Sequence, residues 1–375
     1  MIPSLKGSRL ATALASALLL LGAVTACGSG SGATATAPAA DPAAAPKSGA
    51  FPVTVAHKFG NTTIASEPKR IVTVGLTDQD AVLALGKVPV GTTDWLGGYA
   101  GAIGPWATGK LGDAAAPVML TDTGTGPQVE KIAALAPDLI LALYSGLTKE
   151  QYETLSKLAP VVAQPKEYND YGIPWQQQTQ TVAKVLGKEA EGTRLVGDVE
   201  AAFAAAKKEH PEFAGAGVVV ATPYEGFFVF GSQDSRSRTL TSLGFTLPAD
   251  LDKVIGDRFG ASISKERSDL LDGDAIVWTV PDTAKDPATL HKDGVYKDLK
   301  VATQGREVFI GESSDYGKAF SFVTVLSLPY VLDRLVPQLA AAVDGDTATE
   351  VKQPESCSPS RGPPGSSPAP GTRSA

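Results

Sequence analysis

The chain has 375 residues and a formal net charge of −7, with acidic and basic side chains scattered along its length. This mild negative charge leaves no basic stripe and argues against nucleic acid as a partner. The two cysteines, Cys27 and Cys357, do not suggest a disulfide framework, and no apolar run beyond Cys27 reaches the roughly 18 to 20 residues of a spanning helix.

The first 26 residues have the pattern of a secretory signal, with a positively charged start, an apolar run over 10–24 and small residues at the end. Cys27 follows at once, and residues 24–27 read Val-Thr-Ala-Cys. This arrangement resembles the lipobox of bacterial lipoproteins, in which the cysteine becomes the lipidated first residue of the mature chain. An ordinary signal peptide that happens to contain a cysteine is the alternative.

Both ends of the remaining chain have the composition of unfolded segments. Residues 27–50 are rich in Gly, Ala, Ser, Thr and Pro, which predicts a flexible tether. Residues 346–375 are rich in Pro, Ser and Gly and are expected to be disordered. With a lipidated Cys27, we expect the folded part to work outside the cytoplasm, anchored to the outer face of the cytoplasmic membrane.

Between these ends, short β-rich runs alternate with helical runs, which predicts an α/β fold with largely parallel sheets. Thr77 is expected to cap the first helix, with Asp78 and Asp80 in its first turn and Gly86 at its end. In the first half we predict strands at 70–74, 89–93, 138–143 and 160–164, and helices at 77–85, 128–135 and 148–158.

Residues 175–208 have almost continuous helix composition, with a bend expected near Gly187 or Gly192. At about 1.5 Å per residue, a helix of this length could cross between two lobes. A long surface helix within one domain is the alternative. The alternation of strands and helices restarts at 218–221.

The second half contains a faint echo of the first. Four residue types stand at the same spacing in both halves, as Glu130, Leu135, Asp138 and Ile140 and again as Glu266, Leu271, Asp274 and Ile276. In each set a helix that carries a glutamate is followed by a turn and a strand. We therefore predict two similar α/β lobes, over 51–173 and 209–345, with residues 174–208 as a linking helix.

Signatures of catalysis are missing from the sequence. His57, His210 and His291 show no metal-ligand spacing, and no Gly-x-Ser-x-Gly motif occurs. We therefore expect no enzyme activity, and no metal or cofactor held by the protein's own side chains.

Aromatic and polar side chains stand near the ends of the predicted strands. Ligands of open α/β sheets bind outside the carboxyl ends of the strands, so these side chains are candidates for ligand contact. They are Thr77, Trp95, Tyr99, Tyr144, Tyr168, Tyr171, Tyr224, Arg236, Trp278 and Tyr316. Aromatic faces with one or two guanidinium groups suit a large, anionic, partly apolar ligand. For each residue taken alone, packing in the core or at the rim is the alternative.

Five segments of the chain, at 59–72, 84–91, 130–141, 155–161 and 263–277, resemble a known family. It comprises the extracytoplasmic substrate-binding lipoproteins of ABC importers for iron–siderophore complexes, of the ferric-dicitrate and ferric-hydroxamate binding type. The resemblance implies two Rossmann-like α/β lobes joined by one long rigid helix, in the class III periplasmic-binding-protein arrangement. It also implies a monomer that binds its ligand between the lobes.

The implied ligand is a ferric siderophore, whose chelator already wraps the iron, so that the protein supplies no metal ligand. In this hypothesis Arg236 pairs with negative oxygens of the chelator, and Trp95, Tyr168 and Trp278 pack against its organic arms. Relatives of this shape also carry haem or cobalamin, and Tyr168 or Tyr171 could serve a haem iron. A surface enzyme or interaction module built on the same lobes is a further alternative.

The resemblance also implies a membrane partner, an ABC permease with its ATPase. In the family one glutamate on each lobe docks onto arginines of the permease. The matching positions here are Glu130 and Glu266, for which an ordinary place on a helix surface is the alternative.

Overall fold

The computed structural model describes residues 50–95, 97–121 and 126–354, which belong to one compact unit. Cys27, the predicted signal, nearly all of the predicted tether and Cys357 lie outside the described residues. Within the described part of the chain, no helix combines the length and the apolar character that crossing a membrane requires.

Strands and helices alternate through most of this unit. The strands are β1 (Val53–His57), β2 (Gly60–Ile64), β3 (Ile71–Thr73), β4 (Gly91–Asp94), β5 (Val118–Thr121), β6 (Leu139–Ala142), β7 (Val161–Ala163), β8 (Val218–Thr222), β9 (Phe227–Phe230), β10 (Gly260–Ile263), β11 (Ala275–Val280) and β12 (Glu307–Gly311). The helices are α1 (Asp78–Ala84), α2 (Val129–Ala134), α3 (Lys149–Leu155), α4 (Trp175–Val185), α5 (Glu189–Glu209), α6 (Ser235–Ser242), α7 (Leu251–Ile255), α8 (Asp286–Leu290), α9 (Lys300–Thr303), α10 (Asp315–Ser321) and α11 (Ser327–Val343).

The first sheet has the strand order β5–β4–β3–β6–β7, and its strands are parallel. Its central strands β3 and β6 are fully buried, as expected for a parallel sheet that is covered on both faces. Leu139 and Leu141 of β6 belong to one core cluster, whereas Ile140 and Ala142 belong to another. The continuous apolar runs that predicted these strands therefore reflect burial on both faces of the sheet.

The second sheet has the strand order β10–β9–β8–β11–β12. Strands β8, β11 and β12 are parallel, whereas β9 runs antiparallel to both β8 and β10. Val218 and Val220 of β8 lie in one core cluster and Val219 and Ala221 in another, so this sheet is also covered on both faces. The shared strand order confirms the prediction of two similar α/β lobes, and each sheet with its covering helices is called a lobe below.

Asp138 and Asp274, which recur at the same spacing in the two lobes, both accept backbone hydrogen bonds. Asp138, directly before β6, accepts hydrogen bonds from the backbone N–H groups of Lys69 (2.8 Å) and Arg70 (2.8 Å). Asp274, directly before β11, accepts one from the N–H of Gly217 (2.7 Å). Each carboxylate therefore ties the segment that enters β3 or β8 to the strand beside it.

The segment expected as a linking helix consists of two helices, α4 and α5. They are separated at Gly187, whose φ of +66° is a left-handed conformation that glycine adopts without strain, so the bend lies at a predicted position. Helix α5 then packs closely on α4. A Cβ atom on Gly192 would lie only 2.3 Å from Cβ of Ala183, so this contact requires glycine. Val182 of α4 is buried in the core of the first lobe, and Phe203 of α5 in that of the second.

The residues after α11 correct one prediction. Gln338 donates a side-chain hydrogen bond to the carbonyl of Lys352 (3.1 Å), and Gln353 donates one to the carbonyl of Phe309 (2.9 Å). Residues 346–354 were expected to be disordered, but these bonds hold their end against the second lobe.

Candidate functional site

A cavity of about 310 Å³, called the aromatic cavity below, lies between the two lobes. Six of its nine lining residues are aromatic; the lining comprises Leu76, Trp95, Tyr144, Tyr171, Phe230, Asp234, Arg236, Phe259 and Phe322. A concave, mostly apolar cavity with a few placed polar groups is the usual form of a site for an organic ligand.

The first lobe reaches the cavity through the carboxyl ends of its strands. Leu76 follows β3, Trp95 follows β4 and Tyr144 follows β6. Tyr171 lies between β7 and α4, and the centroids of the Tyr144 and Tyr171 rings are 5.7 Å apart. On this lobe the cavity lies beyond the carboxyl ends of the strands, where ligands of open α/β sheets bind.

The second lobe reaches the cavity by a different route. Phe230 ends β9, and Asp234 and Arg236 follow it at the start of α6. Phe259 precedes β10, and Phe322 follows α10. Because β9 runs antiparallel to β8, its carboxyl end points away from the carboxyl end of β8, after which the predicted ligand residue Tyr224 lies.

Phe322 packs between aromatic side chains of the opposite lobe. Its ring centroid lies 5.8 Å from that of Trp95 and 6.2 Å from that of Tyr144, and both pairs are close to perpendicular. Edge-to-face packing of this kind stabilises aromatic pairs by about 0.5–1.5 kcal/mol beyond burial. Trp95 remains 58 % exposed, so much of its surface is open to a ligand.

The aromatic cavity contains one tightly matched pair of charges. Arg236 donates from Nε to Oδ1 of Asp234 (2.8 Å) and from Nη2 to Oδ2 (2.8 Å). Both side chains are largely buried, with 12 % of Arg236 and 3 % of Asp234 exposed, and the guanidinium carbon lies 3.6 Å from the ring centroid of Phe230. Burial acts to lower the pKa of Arg236, but the Asp234 carboxylate outweighs it, and the pKa is raised. The charge expected to meet an anionic ligand is therefore already balanced by the protein.

A buried carboxylate fixes the loop that carries Tyr144. Asp78 accepts hydrogen bonds from the backbone N–H groups of Leu143 (2.8 Å) and Tyr144 (3.1 Å) and from Nε2 of Gln178 (2.7 Å). Burial raises the pKa of Asp78 despite these donors. A Cβ atom on Gly75 would lie 2.2 Å from Oδ2 of Asp78, so only glycine fits beside this carboxylate.

Thr77 differs from its predicted roles. Its side chain makes no capping hydrogen bond to α1. It is 3 % exposed, and its Oγ1 accepts a hydrogen bond from Nε2 of Gln178 (2.8 Å). Thr77 therefore stabilises the contact between α1 and α4 and does not line the aromatic cavity.

Two neighbouring cavities share lining residues with the aromatic cavity. One, of about 140 Å³, lies within the first lobe and shares Leu76 and Tyr171. The other, of about 640 Å³, shares Tyr171 and Phe259 and lies between residues 164–171 and 257–260. A ligand larger than the aromatic cavity could therefore extend past Tyr171.

The described residues hold no group of three or more His, Cys, Asp or Glu side chains that could bind a metal ion. His57 is buried and hydrogen bonds to Thr62 (2.9 Å), while His291 pairs with Glu307 (2.7 Å). Where described, the histidines therefore have structural partners.

Comparison with known proteins identifies the family. Residues 71–313 match the family described as Periplasmic binding protein. This chain belongs to that family. The Fe(3+)-citrate-binding protein YfmC of Bacillus subtilis is 26 % identical over 248 residues, which cover 66 % of this chain and 74 % of YfmC.

Two solved structures share the fold of this periplasmic binding protein. A periplasmic solute binding protein from Mycobacterium smegmatis is 34 % identical, with a TM-score of 0.67 over 78 % of this chain and 98 % of that one. PiaA of Streptococcus pneumoniae, solved in complex with ferrichrome, is 29 % identical, with a TM-score of 0.70 over 78 % of this chain and 99 % of PiaA. The two-lobed fold, with a class III arrangement, is therefore established.

Polar contacts join the lobes of this periplasmic binding protein around the cavity. The hydroxyl of Tyr99 donates to Asp315 (2.5 Å), and Nζ of Lys318 donates to the carbonyl of Gly97 (3.0 Å). Burial and the Asp315 carboxylate raise the pKa of Tyr99, which keeps its hydroxyl a donor. Tyr99, predicted as a ligand contact, therefore lies in the lobe interface and joins α10 to the first lobe.

Two predicted ligand residues lie in the core of the second lobe. Trp278 has no exposed surface, and its Nε1 donates to the hydroxyl of Tyr296 (2.8 Å). Tyr316 is 7 % exposed, and its hydroxyl donates to Gln338 (3.1 Å). The correction for Trp278 has a simple cause, since β11 extends to Val280 and places the tryptophan inside the strand.

The other predicted residues divide between cavity and surface. Trp95, Tyr144, Tyr171 and Arg236 meet at the aromatic cavity, whereas Tyr224 is 62 % exposed and does not line it. Tyr168 lines the 640 Å³ cavity beside it. Five lining residues were missed, namely Leu76, Phe230, Asp234, Phe259 and Phe322. For Asp234, the signal in the sequence is its position two residues before Arg236, which suggests an ion pair.

The two glutamates of the echo occupy matching places in the lobes. Glu130 lies in the first turn of α2, before β6, and Glu266 lies in the first turn of the 3₁₀ segment Lys265–Leu271, before β11. Both side chains are exposed. A hydrogen bond with the Ser264 side chain lowers the pKa of Glu266, so this carboxylate is charged at neutral pH.

Proposed function

We propose that this protein is the substrate-binding component of an ABC importer and that it captures a ferric siderophore in the aromatic cavity. The observation that carries the proposal is the set of six aromatic rings from two lobes around one hollow. Aromatic faces suit the organic arms of a chelator, and the iron travels as cargo inside the chelate. The similarity to PiaA, solved with ferrichrome, supports the same ligand class.

The proposal extends to the membrane partner. Glu130 and Glu266 are exposed at equivalent points of the two lobes, which supports a docking role against a permease that carries paired cationic side chains. A lipid on Cys27, in the Val-Thr-Ala-Cys setting, would hold the protein on the outer face of the cytoplasmic membrane. The permease and its ATPase would then take over the cargo without any chemical change by this protein.

The test is a calorimetric titration of the purified full chain, kept in detergent, against a panel of complexes. The panel contains ferrichrome, ferric dicitrate, ferric enterobactin, haem and cobalamin. We expect saturable binding of at least one ferric siderophore and about fivefold weaker binding after Trp95→Ala, since one aromatic contact is worth about 1 kcal/mol.

Tyr224→Ala is the matched control, because Tyr224 is an exposed aromatic residue outside the cavity. It should leave the affinity unchanged. Binding of haem alone, with a Soret band in the purified protein, would replace the siderophore with haem as the cargo. Binding of no member of the panel would refute the proposed function.

A further inference from the structure

The charge balance of the aromatic cavity carries an inference about which siderophores fit. Among its described lining residues, the charged side chains are Arg236 and Asp234, which form a two-point pair at 2.8 Å and 2.8 Å. The remaining lining consists of six aromatic residues and Leu76. The lining therefore carries a cation and an anion in close contact and no net charge.

Such a cavity disfavours ligands with excess negative charge. A buried anion loses its hydration and must find compensating charge or hydrogen bonds in the protein. Here the Arg236 guanidinium already serves Asp234, and a second anion beside it would also meet the carboxylate of Asp234. A neutral complex with apolar arms avoids both the uncompensated loss of hydration and the repulsion by the Asp234 carboxylate.

The 640 Å³ cavity next to Tyr171 does not reverse this balance. Lys58 is paired there with Asp170 (2.7 Å), and the other charged lining residues are Lys166, Asp257 and Arg258. Lys166, Asp257 and Arg258 are exposed, so water and salt screen them. They can steer a ligand, whereas the charges that line the aromatic cavity remain balanced.

Resting on the proposed function, we infer that the site selects ferric complexes without net charge, of the trihydroxamate type, over polyanionic citrate and triscatecholate complexes. Three singly charged hydroxamate groups cancel the charge of the ferric ion. Three doubly charged catecholates leave the complex strongly anionic. A cavity lined by aromatic rings and by an ion pair whose charges cancel therefore favours the complexes without net charge.

The test uses the full chain in detergent with ferrichrome as the neutral probe and ferric dicitrate and ferric enterobactin as anionic probes. We expect ferrichrome to bind at least about a hundredfold more tightly than either anionic probe, since an uncompensated charge costs several kcal/mol when buried. Lower salt should not reduce this difference in affinity, because the ion pair between Arg236 and Asp234 is buried.

The decisive variant is Asp234→Asn, which keeps the shape of the side chain and its capping oxygen but frees the charge of Arg236. We expect it to strengthen binding of the anionic probes by about tenfold relative to binding of ferrichrome, which narrows the preference for the neutral complex. A cooperative urea unfolding transition shows independently of any ligand that the variant folds. Asp250→Asn is the matched control, because Asp250 also precedes a helix of the second lobe but lies outside the cavity.

The outcomes separate the inference from the proposed function. Tighter binding of ferric dicitrate or ferric enterobactin than of ferrichrome by the unmodified chain would overturn the charge argument and leave the siderophore function intact. Unchanged selectivity in Asp234→Asn would also overturn it. Failure to bind any ferric complex would instead remove the proposed function.

Discussion

The carboxylate of Asp80 on α1 accepts a hydrogen bond of 2.6 Å from the hydroxyl of Thr324, which lies between α10 and α11, and so joins one lobe to the other. The same carboxylate accepts a hydrogen bond from Nε1 of Trp106 (2.8 Å). Asp80 is 2 % exposed, and burial raises its pKa to about 6 despite both donors. A lobe contact of this protein therefore depends on a carboxyl group that titrates near neutral pH.

The first prediction concerns the pH dependence of stability. Because the pKa of Asp80 is about 6 in the folded protein against an ordinary 3.8, the folded state binds the proton more tightly than the unfolded state. The contribution of Asp80 to the free energy of unfolding is therefore greatest below pH 4 and falls as pH rises through 6, by about 3 kcal/mol at most. Urea unfolding between pH 4 and 8 should show that Asp80→Asn reduces the decline in the free energy of unfolding, to which Asp78 also contributes. The exposed Asp113→Asn should keep the slope of the unmodified chain, and an unchanged slope in Asp80→Asn would contradict the assignment.

The second prediction concerns Asp78. Replacing it with alanine leaves the N–H groups of Leu143 and Tyr144 and the amide of Gln178 without their buried acceptor. Since each such loss costs about 1–3 kcal/mol, Asp78→Ala should lower the free energy of unfolding by about 3 kcal/mol or more. Chemical denaturation measures this, with Asp113→Ala as an exposed control. A loss below about 1 kcal/mol would mean that water replaces the carboxylate.

The third prediction concerns the proposed docking glutamates. The double variant Glu130→Ala and Glu266→Ala should bind ferric siderophore as the unmodified chain does, because both side chains are exposed and neither lines the cavity. It should fail to stimulate ATP hydrolysis by the permease complex in proteoliposomes. Glu189→Ala and Glu209→Ala, on α5, form the matched control pair. Equal stimulation by both double variants would exclude the docking role.

The fourth prediction concerns the proposed lipid anchor. Replacing Cys27 with serine removes the thiol to which lipid would be attached. The variant should move from the membrane fraction to the soluble fraction when cells are fractionated, and its affinity for ferric siderophore should not change. Replacement of the other cysteine, Cys357, by serine should leave the protein on the membrane. Recovery of the unmodified chain in the soluble fraction would contradict the lipid anchor and favour an ordinary, cleaved signal peptide.

Strand positions in the sequence predicted cavity residues of the first lobe but missed most of those of the second, for a topological reason. The strands of the first sheet are parallel, so positions after β4 and β6 predicted Trp95 and Tyr144 at the cavity. In the second sheet β9 reverses direction, which no local pattern indicated. Phe259 precedes strand β10, and Phe322 follows helix α10. Neither position indicates a ligand site in the sequence.

The boundaries of individual strands caused the remaining differences. The sequence predicts Trp278 near the end of a strand, but β11 continues to Val280 with neighbouring strands on both sides. The ion pair between Arg236 and Asp234 was also out of reach, because the sequence shows that two charges are near each other but not which of them faces a ligand. Fold class follows from residue patterns, whereas the charge of a site follows from pairings that only coordinates reveal.

The matching aspartates before β6 and β11 have a consequence for how such a molecule can diverge. Each uses its carboxylate to hold the backbone that enters a neighbouring strand, Asp138 by both oxygens and Asp274 by one. An asparagine at position 138 could accept only one of the two hydrogen bonds, so this position tolerates little exchange. The shared spacing of a glutamate and an aspartate therefore identifies equivalent positions in the two lobes, even where the rest of their sequences differs.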